Sequence, residues 1–141
     1  MSEANKALVQ RFMEGIFNNG NLAVADQLVA ADYVNHAAPP ENSIGPEPIK
    51  QMVATTRAAF PDMNTTIEEV VAEGDRVVIR ATWRGSHQNE FDFFPGPPSG
   101  KRFAQAQTHI YRIADGKLVE HWEVADMLGW MQQLGFLPTP G

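Results

Sequence analysis

Cysteine is absent from the 141 residues, which excludes a disulfide scaffold, a thiolate nucleophile and any metal centre held by sulfur. Positive charge is scarce. Eleven Lys and Arg stand against 17 Asp and Glu, for a net charge of −6, and no basic run occurs. The chain therefore lacks the electrostatic footprint of a nucleic-acid binder or of a protein held on an anionic membrane. No apolar stretch approaches the roughly 20 residues of a membrane span. No apolar signal core follows the opening Met-Ser-Glu-Ala-Asn-Lys, so a cytoplasmic protein is expected. Gly74, Gly85, Gly96 and Gly100 never form a phosphate cradle opening a helix, and no Gly-x-Ser-x-Gly elbow is present. His36, His87, His109 and His121 lack the four-residue spacing of a helical metal pair, so neither metal nor cofactor is expected.

What is present suits one folded domain over residues 1–141. Hydrophobic residues make up 43% and charged residues 20%, enough to build a core without staples. Ala4, Leu8, Phe12 and Ile16 form an apolar stripe that predicts a helix over 4–18, closed by Asn18-Asn19-Gly20. A second helix is expected over 22–31. A third opens at Gly45-Pro46-Glu47-Pro48 and carries Ile49, Val53 and Phe60. From residue 63 the pattern turns to strands: 63–72 and 76–85 around Gly74-Asp75, then 103–113 and 117–125 around Asp115-Gly116. Ser86 to Gly100 reads as an ordered loop and 126–134 as a last short helix. Helices followed by an antiparallel meander predict an α+β fold, with helices packed on one face of a curved sheet.

Unbroken pairing outward from each turn assigns faces. In the second hairpin Tyr111/Glu120, His109/Trp122, Gln107/Val124 and Gln105/Asp126 share one face, the lining of a polar-studded cavity. Arg112/Val119, Ile110/His121, Thr108/Glu123 and Ala106/Ala125 share the other, which could meet solvent or a second subunit. In the first hairpin Val70/Ile79, Glu68/Ala81 and Thr66/Trp83 face the helices, with Glu68 the odd carboxylate among them. A bulge in either hairpin would exchange part of the assignment.

The remaining chemistry is acid–base work by Asp, Glu, His and Tyr. Asp126 ends the last strand. It reads either as the N-cap of the final helix or as a base at the edge of an apolar cavity, and the two roles can coexist. His109 shares its predicted face and could orient or donate. Tyr33 and His36 follow the second helix, where a cavity mouth could lie. Trp83, Phe103 and Trp122 read as wall or core.

These motifs resemble the SnoaL-like polyketide cyclases, a branch of the nuclear transport factor 2-like superfamily. The resemblance rests on Asp32-Tyr33-Val34-Asn35-His36, Phe60-Pro61-Asp62, Glu73-Gly74-Asp75-Arg76, Gly85-Ser86-His87, Pro98-Ser99-Gly100, Glu120-His121-Trp122, Asp126 and Gln133-Leu134-Gly135, in the family's order. It implies a cone of curved, mostly antiparallel sheet and N-terminal helices around one pocket, usually in a homodimer. It also implies an intramolecular aldol condensation of a polyketide ester without cofactor or metal, with Asp126 as the acid–base residue. On this reading Asp126 and His109 are catalytic. Tyr33, His36, Glu68, Trp83, His87, Phe103, Gln105, Gln107 and Trp122 are expected to bind a hydrophobic carbonyl substrate. The loop between His87 and Pro98 departs from the family, with Gln88-Asn89-Glu90-Phe91-Asp92-Phe93-Phe94 where relatives often carry glycine. An isomerase, an epoxide or ester hydrolase and a non-catalytic binding module remain alternatives on the same fold.

Overall fold

The computed structural model describes residues 2–94 and 96–139. Helix α1 spans Ser2–Phe12 and continues as one wide π-helical segment, Met13–Asn18, which keeps Met13 and Ile16 buried. Helix α2 is short, Ala23–Leu28. The helix expected to reach residue 31 stops there, and Val29–Asn35 is strand β1. Ala30 and Ala31 favour helix, but pairing of β1 with the last strand outweighs that weak preference. A 3₁₀ turn at Pro40–Asn42 leads to α3, Glu47–Ala59, with Pro48 tolerated in its first turn.

Strands β2 (Asn64–Glu73), β3 (Arg76–Ser86), β4 (Arg102–Ala114) and β5 (Lys117–Ala125) form the predicted meander, and α4 is Met127–Gln133. The sheet runs β1-β5-β4-β3-β2, antiparallel except where β1 lies parallel to β5. The tight β4–β5 turn rests on left-handed backbone at Asp115 (φ 53°) and Gly116 (φ 73°), so Ala114 faces Lys117 as expected.

Each hairpin then slips by one residue. In β5 the pair Ile113/Leu118 is followed by Arg112/Glu120, which makes Val119 an extra residue. In β2, Val70/Ile79 and Glu69/Arg80 are followed by Ile67/Ala81, which makes Glu68 extra. A one-residue slip turns every later side chain to the opposite face. The inner face therefore carries Tyr111/His121, His109/Glu123 and Gln107/Ala125 in one hairpin, and Ile67/Ala81 and Thr65/Trp83 in the other.

The helices cover the inner face of the sheet. One core joins α1, the π segment and α3 to Val77, Ile79, Tyr111 and Leu118. A second gathers Phe60, Phe94, Phe103, Trp130 and Leu134 under the loop that follows β3. Among the described residues, no helix is long and apolar enough to cross a membrane.

Candidate active site

A cavity of about 310 Å³ lies between the two cores. Its walls are largely apolar: Phe12, Met13 and Phe17 from the N-terminal helical segment, Ile49 and Met52 from α3, Trp83 and Trp130 beyond. It shares Tyr33, Asn35, Phe91 and Phe93 with an outer space of about 470 Å³ that reaches Asn42, Ser43 and Gln51, so the two read as chamber and mouth. Phe91 and Phe93 belong to the loop between β3 and β4.

Most of the polar lining falls on one wall, where β1, β5 and β4 lie side by side. Gln105, Gln107 and His109 alternate inward along β4, and His121 and Glu123 along β5. A hydrogen-bond chain crosses this wall. The Gln105 amide N–H₂ faces the Met127 sulfur at 3.7 Å, and Gln107 Nε2 donates to Gln105 Oε1 at 2.7 Å. Gln107 Oε1 meets His109 Nε2 at 2.8 Å, and His109 Nδ1 meets His121 Nε2 at 2.9 Å. His121 Nδ1 reaches Asn35 Oδ1 at 2.8 Å, an oxygen that also accepts from the Ala37 backbone N–H at 2.9 Å. Glu123 stands beside the chain, one carboxylate oxygen 3.8 Å from His109 Nδ1.

Burial governs the ionisation here. It pushes His109 down to about 4. It pushes His121 down to about 3, with the His109 and His36 charges adding to the effect. It pushes the Glu123 carboxyl up. Tyr33 and Tyr111 are raised by burial first and further by the charge on Glu123. Removing charged forms from water costs more than their neighbours return.

His109, His121 and Glu123 are the one group among the described residues whose metal-ligating atoms all lie within 4.8 Å of one another. The imidazoles, however, approach head-on. Their centres are 5.1 Å apart, nearly the 2.9 Å nitrogen–nitrogen contact plus two ring radii. Nitrogens aligned in this way share a proton, whereas the lone pairs of metal ligands converge at an angle on a common point.

Of the residues expected from sequence, Tyr33, Trp83, Gln105, Gln107 and His109 line the cavity. The others do not. The β5 slip turns Trp122 to the outer face, where it stacks on His36 with ring centres 4.9 Å apart and lies under Arg76. His36 sits there too, 2.8 Å from Glu120, whose carboxyl is lowered first by His36 and then by Arg112. The β2 slip sends Glu68 to solvent, where it accepts from Thr82 Oγ1 at 3.1 Å. Phe103 is packed in the second core. His87 is buried against Phe60, Phe94 and Phe136 instead of the cavity, and its Nδ1 accepts from the Ser99 backbone N–H at 3.0 Å.

Asp126 is exposed, does not contribute to the lining and caps α4, accepting from Gly129 N–H at 2.9 Å. A Cβ at residue 129 would collide with that carboxylate, which explains the glycine. Asp126 and His109 therefore do not share a face, contrary to the unbroken register. The register also hid His121 and Glu123, which unbroken pairing turns outward. Asn35 carried a signal, since it stands in the Asp32–His36 motif.

An apolar chamber with one polar wall and an open mouth, in a helix-covered mixed sheet, defines a small-molecule site of the nuclear transport factor 2-like type. Residues 7–134 match the family model described as SnoaL-like polyketide cyclase, and the chain belongs to that family. The nogalonic acid methyl ester cyclase of Streptomyces nogalater is 32% identical over 130 residues, covering 87% of this chain and 92% of that protein. An aklanonic acid methyl ester cyclase of Streptomyces peucetius is 31% identical over 136 residues, covering 94% and 92%. Among solved structures, TsrD from Streptomyces laurentii superposes with a TM-score of 0.82 at 30% identity, covering 94% of this chain and 98% of that one.

Proposed function

We propose that the protein is a cofactor-independent cyclase that closes a ring in a polyketide ester by intramolecular aldol chemistry. The observation that carries this reading is the cavity itself: apolar on most sides, with amides, imidazoles and a carboxyl on one wall. Such a site binds a flat apolar body and fixes its carbonyl oxygens on a few donors. The family and the ester cyclases it resembles support the reaction class.

In the reaction a base takes a proton from the carbon next to a carbonyl. The C–H electron pair becomes an enolate, whose carbon attacks a second carbonyl in the same molecule. A C–C bond forms, the π pair moves to oxygen, and the alkoxide takes up a proton. Asp126 is the base on this reading. It stands between Ala125 and Met127, which both line the cavity, and only Oδ1 is occupied in the cap. The amides of Gln105 and Gln107 stabilise the enolate oxygen.

Nogalonic acid methyl ester and aklanonic acid methyl ester are the substrates to try first. The expected result is a ring-closed product of unchanged mass, seen by chromatography and mass spectrometry. Binding of both esters without a new product would leave a binding module as the better reading.

A further inference from the structure

Resting on the cyclase reading, we propose that Arg57 is a positioning residue: it holds Phe17 in the wall of the chamber and so sets how tightly the apolar body of the substrate is gripped. The argument begins with the end of the π segment Met13–Asn18. The last carbonyls of a helical segment have no partner further along it. The Arg57 guanidinium of α3 takes up two of them, with Nη1 donating to Phe17 O at 2.7 Å and facing Asn18 O at 3.3 Å. Among the described residues Arg57 pairs with no carboxylate, in a chain where acids outnumber bases. Its charge is spent instead on the negative end of the segment. Gly20 makes room for it. The backbone there is left-handed (φ 67°), and a Cβ would come within 2.8 Å of Arg57 Nε.

This contact bears on the chamber through two neighbours. Phe17 lines the chamber without reaching the mouth, and among the described residues it is the one partly buried apolar side chain packed against both cores. Asn18 pairs with the edge strand β2 as a neighbouring strand would. Its Oδ1 accepts from Thr65 N–H at 2.6 Å, and its Nδ2 donates to Thr65 O at 2.9 Å. Thr65 lines the chamber too, and so does Thr56, the residue before Arg57 on α3. One guanidinium therefore ties together three walls, from α3, the π segment and β2.

The wall needs such a tie. Met13 and Thr65 also border an outer groove of about 490 Å³, so along the seam between the π segment and β2 the wall has open space behind it. An outward shift of Phe17 by roughly 0.5 to 1 Å would forfeit a quarter to a half of its attraction for a bound ring. The polar wall on β4 and β5 would stay in place. Loss of Arg57 should therefore weaken binding and spare the chemical step.

The test combines a substrate, a probe and a double-mutant cycle. The substrate is nogalonic acid methyl ester, read as KM and kcat. The probe is phenylnaphthylamine, a neutral apolar fluorophore, read as Kd without any turnover. Arg57→Met should raise both KM and the probe Kd about tenfold with kcat within about twofold of wild type. Arg57→Lys, which can still donate to one carbonyl, should recover most of the affinity. Asn18→Ala, which releases Thr65 and leaves α3 untouched, should give the same weakening as Arg57→Met. In a Phe17→Ala background, Arg57→Met should change KM and Kd no further, because the ring it positions is gone. Wild-type KM and Kd in Arg57→Met overturn the proposal, and so does a loss confined to kcat or to the melting temperature. An equal weakening with and without the Phe17 ring also overturns it, since Arg57 would then act elsewhere. A protein that converts no ester but shows the same coupling on the probe loses the cyclase reading and keeps the clamp.

Discussion

At the scale of single residues, Asp126 is where two roles meet. Its carboxylate caps α4, and the cyclase reading also gives it the proton from carbon. Asp126→Asn separates them. Asn and Asp rank alike as N-caps, so the melting temperature should stay near wild type, whereas loss of the base should cost roughly 100- to 10,000-fold in kcat. Asp126→Ala should in addition cost about 1 kcal/mol of stability through the lost cap. Unchanged turnover in Asp126→Asn would leave the residue with the cap alone. His87 shows how a family motif can be structural. With Nδ1 accepting from Ser99, its remaining N–H points among phenylalanine rings, and burial lowers its pKa. It holds the 86–100 loop against the second core and stays out of the chamber.

At the scale of elements, the loop after β3 divides into an anchor and a cover. Phe94 is 4% exposed and stacks on Phe136 at 4.3 Å between ring centres, whereas Phe93 is 57% exposed at the cavity mouth. Phe94→Ala should therefore cost about 3 to 5 kcal/mol in a denaturant melt. Phe93→Ala should leave the melt unchanged and raise KM about tenfold, the worth of roughly 1 to 2 kcal/mol of apolar contact with a bound ester. If Phe93→Ala shifts the melt and spares KM, the loop is packing and not cover. The elements also show what a reader of the sequence can see. Strand and helix identities follow from local periodicity and turn chemistry, and Asp-Gly and Gly-Asp marked both hairpin turns. Strand β1 was hidden because Val29 to Asn35 is held by a partner more than eighty residues away, a contact no local pattern reports. The bulges were hidden because Val119 and Glu68 sit in otherwise ordinary β sequence. That single uncertainty explains why Trp122 and Glu68 were expected inside and His121 and Glu123 outside. Gln105, Gln107 and His109 were legible because β4 pairs without a break with β3.

At the scale of the whole molecule, the buried imidazoles make stability depend on pH. Both His109 and His121 have lowered pKa values in the folded protein, about 4 and about 3, and the unfolded chain protonates its histidines near 6.5. Their contribution is fully present above that value and is lost as the pH falls toward 4 and 3, by up to about 1.4 kcal/mol per pH unit for each residue. Glu123, raised by burial, acts in the opposite direction, but it is one group against two. Melting temperatures between pH 7.5 and 4.5 should fall steeply in the acid range, and His121→Gln should flatten the slope. A slope that His121→Gln leaves unchanged would place the acid sensitivity elsewhere. The outer face of the sheet bears on assembly. The slip brings Val124, 76% exposed, onto that face beside Ala106, Thr108 and Ile110, in place of Ala125. A homodimer through this face is expected at micromolar concentration in sedimentation, and a monomer under those conditions would argue against it.

The extra residue in β5 also marks where the chain can change length. Val119 is the spare member of the pairing, so deleting it would let Glu120 follow Leu118 directly and leave every pair from Arg112/Glu120 to Gln107/Ala125 in place. A deletion anywhere from His121 to Ala125 would turn part of the polar wall outward. Insertions and deletions in this strand should therefore be tolerated on the turn side of Glu120 and lethal to the chamber beyond it, a boundary that a deletion scan would map to a single residue.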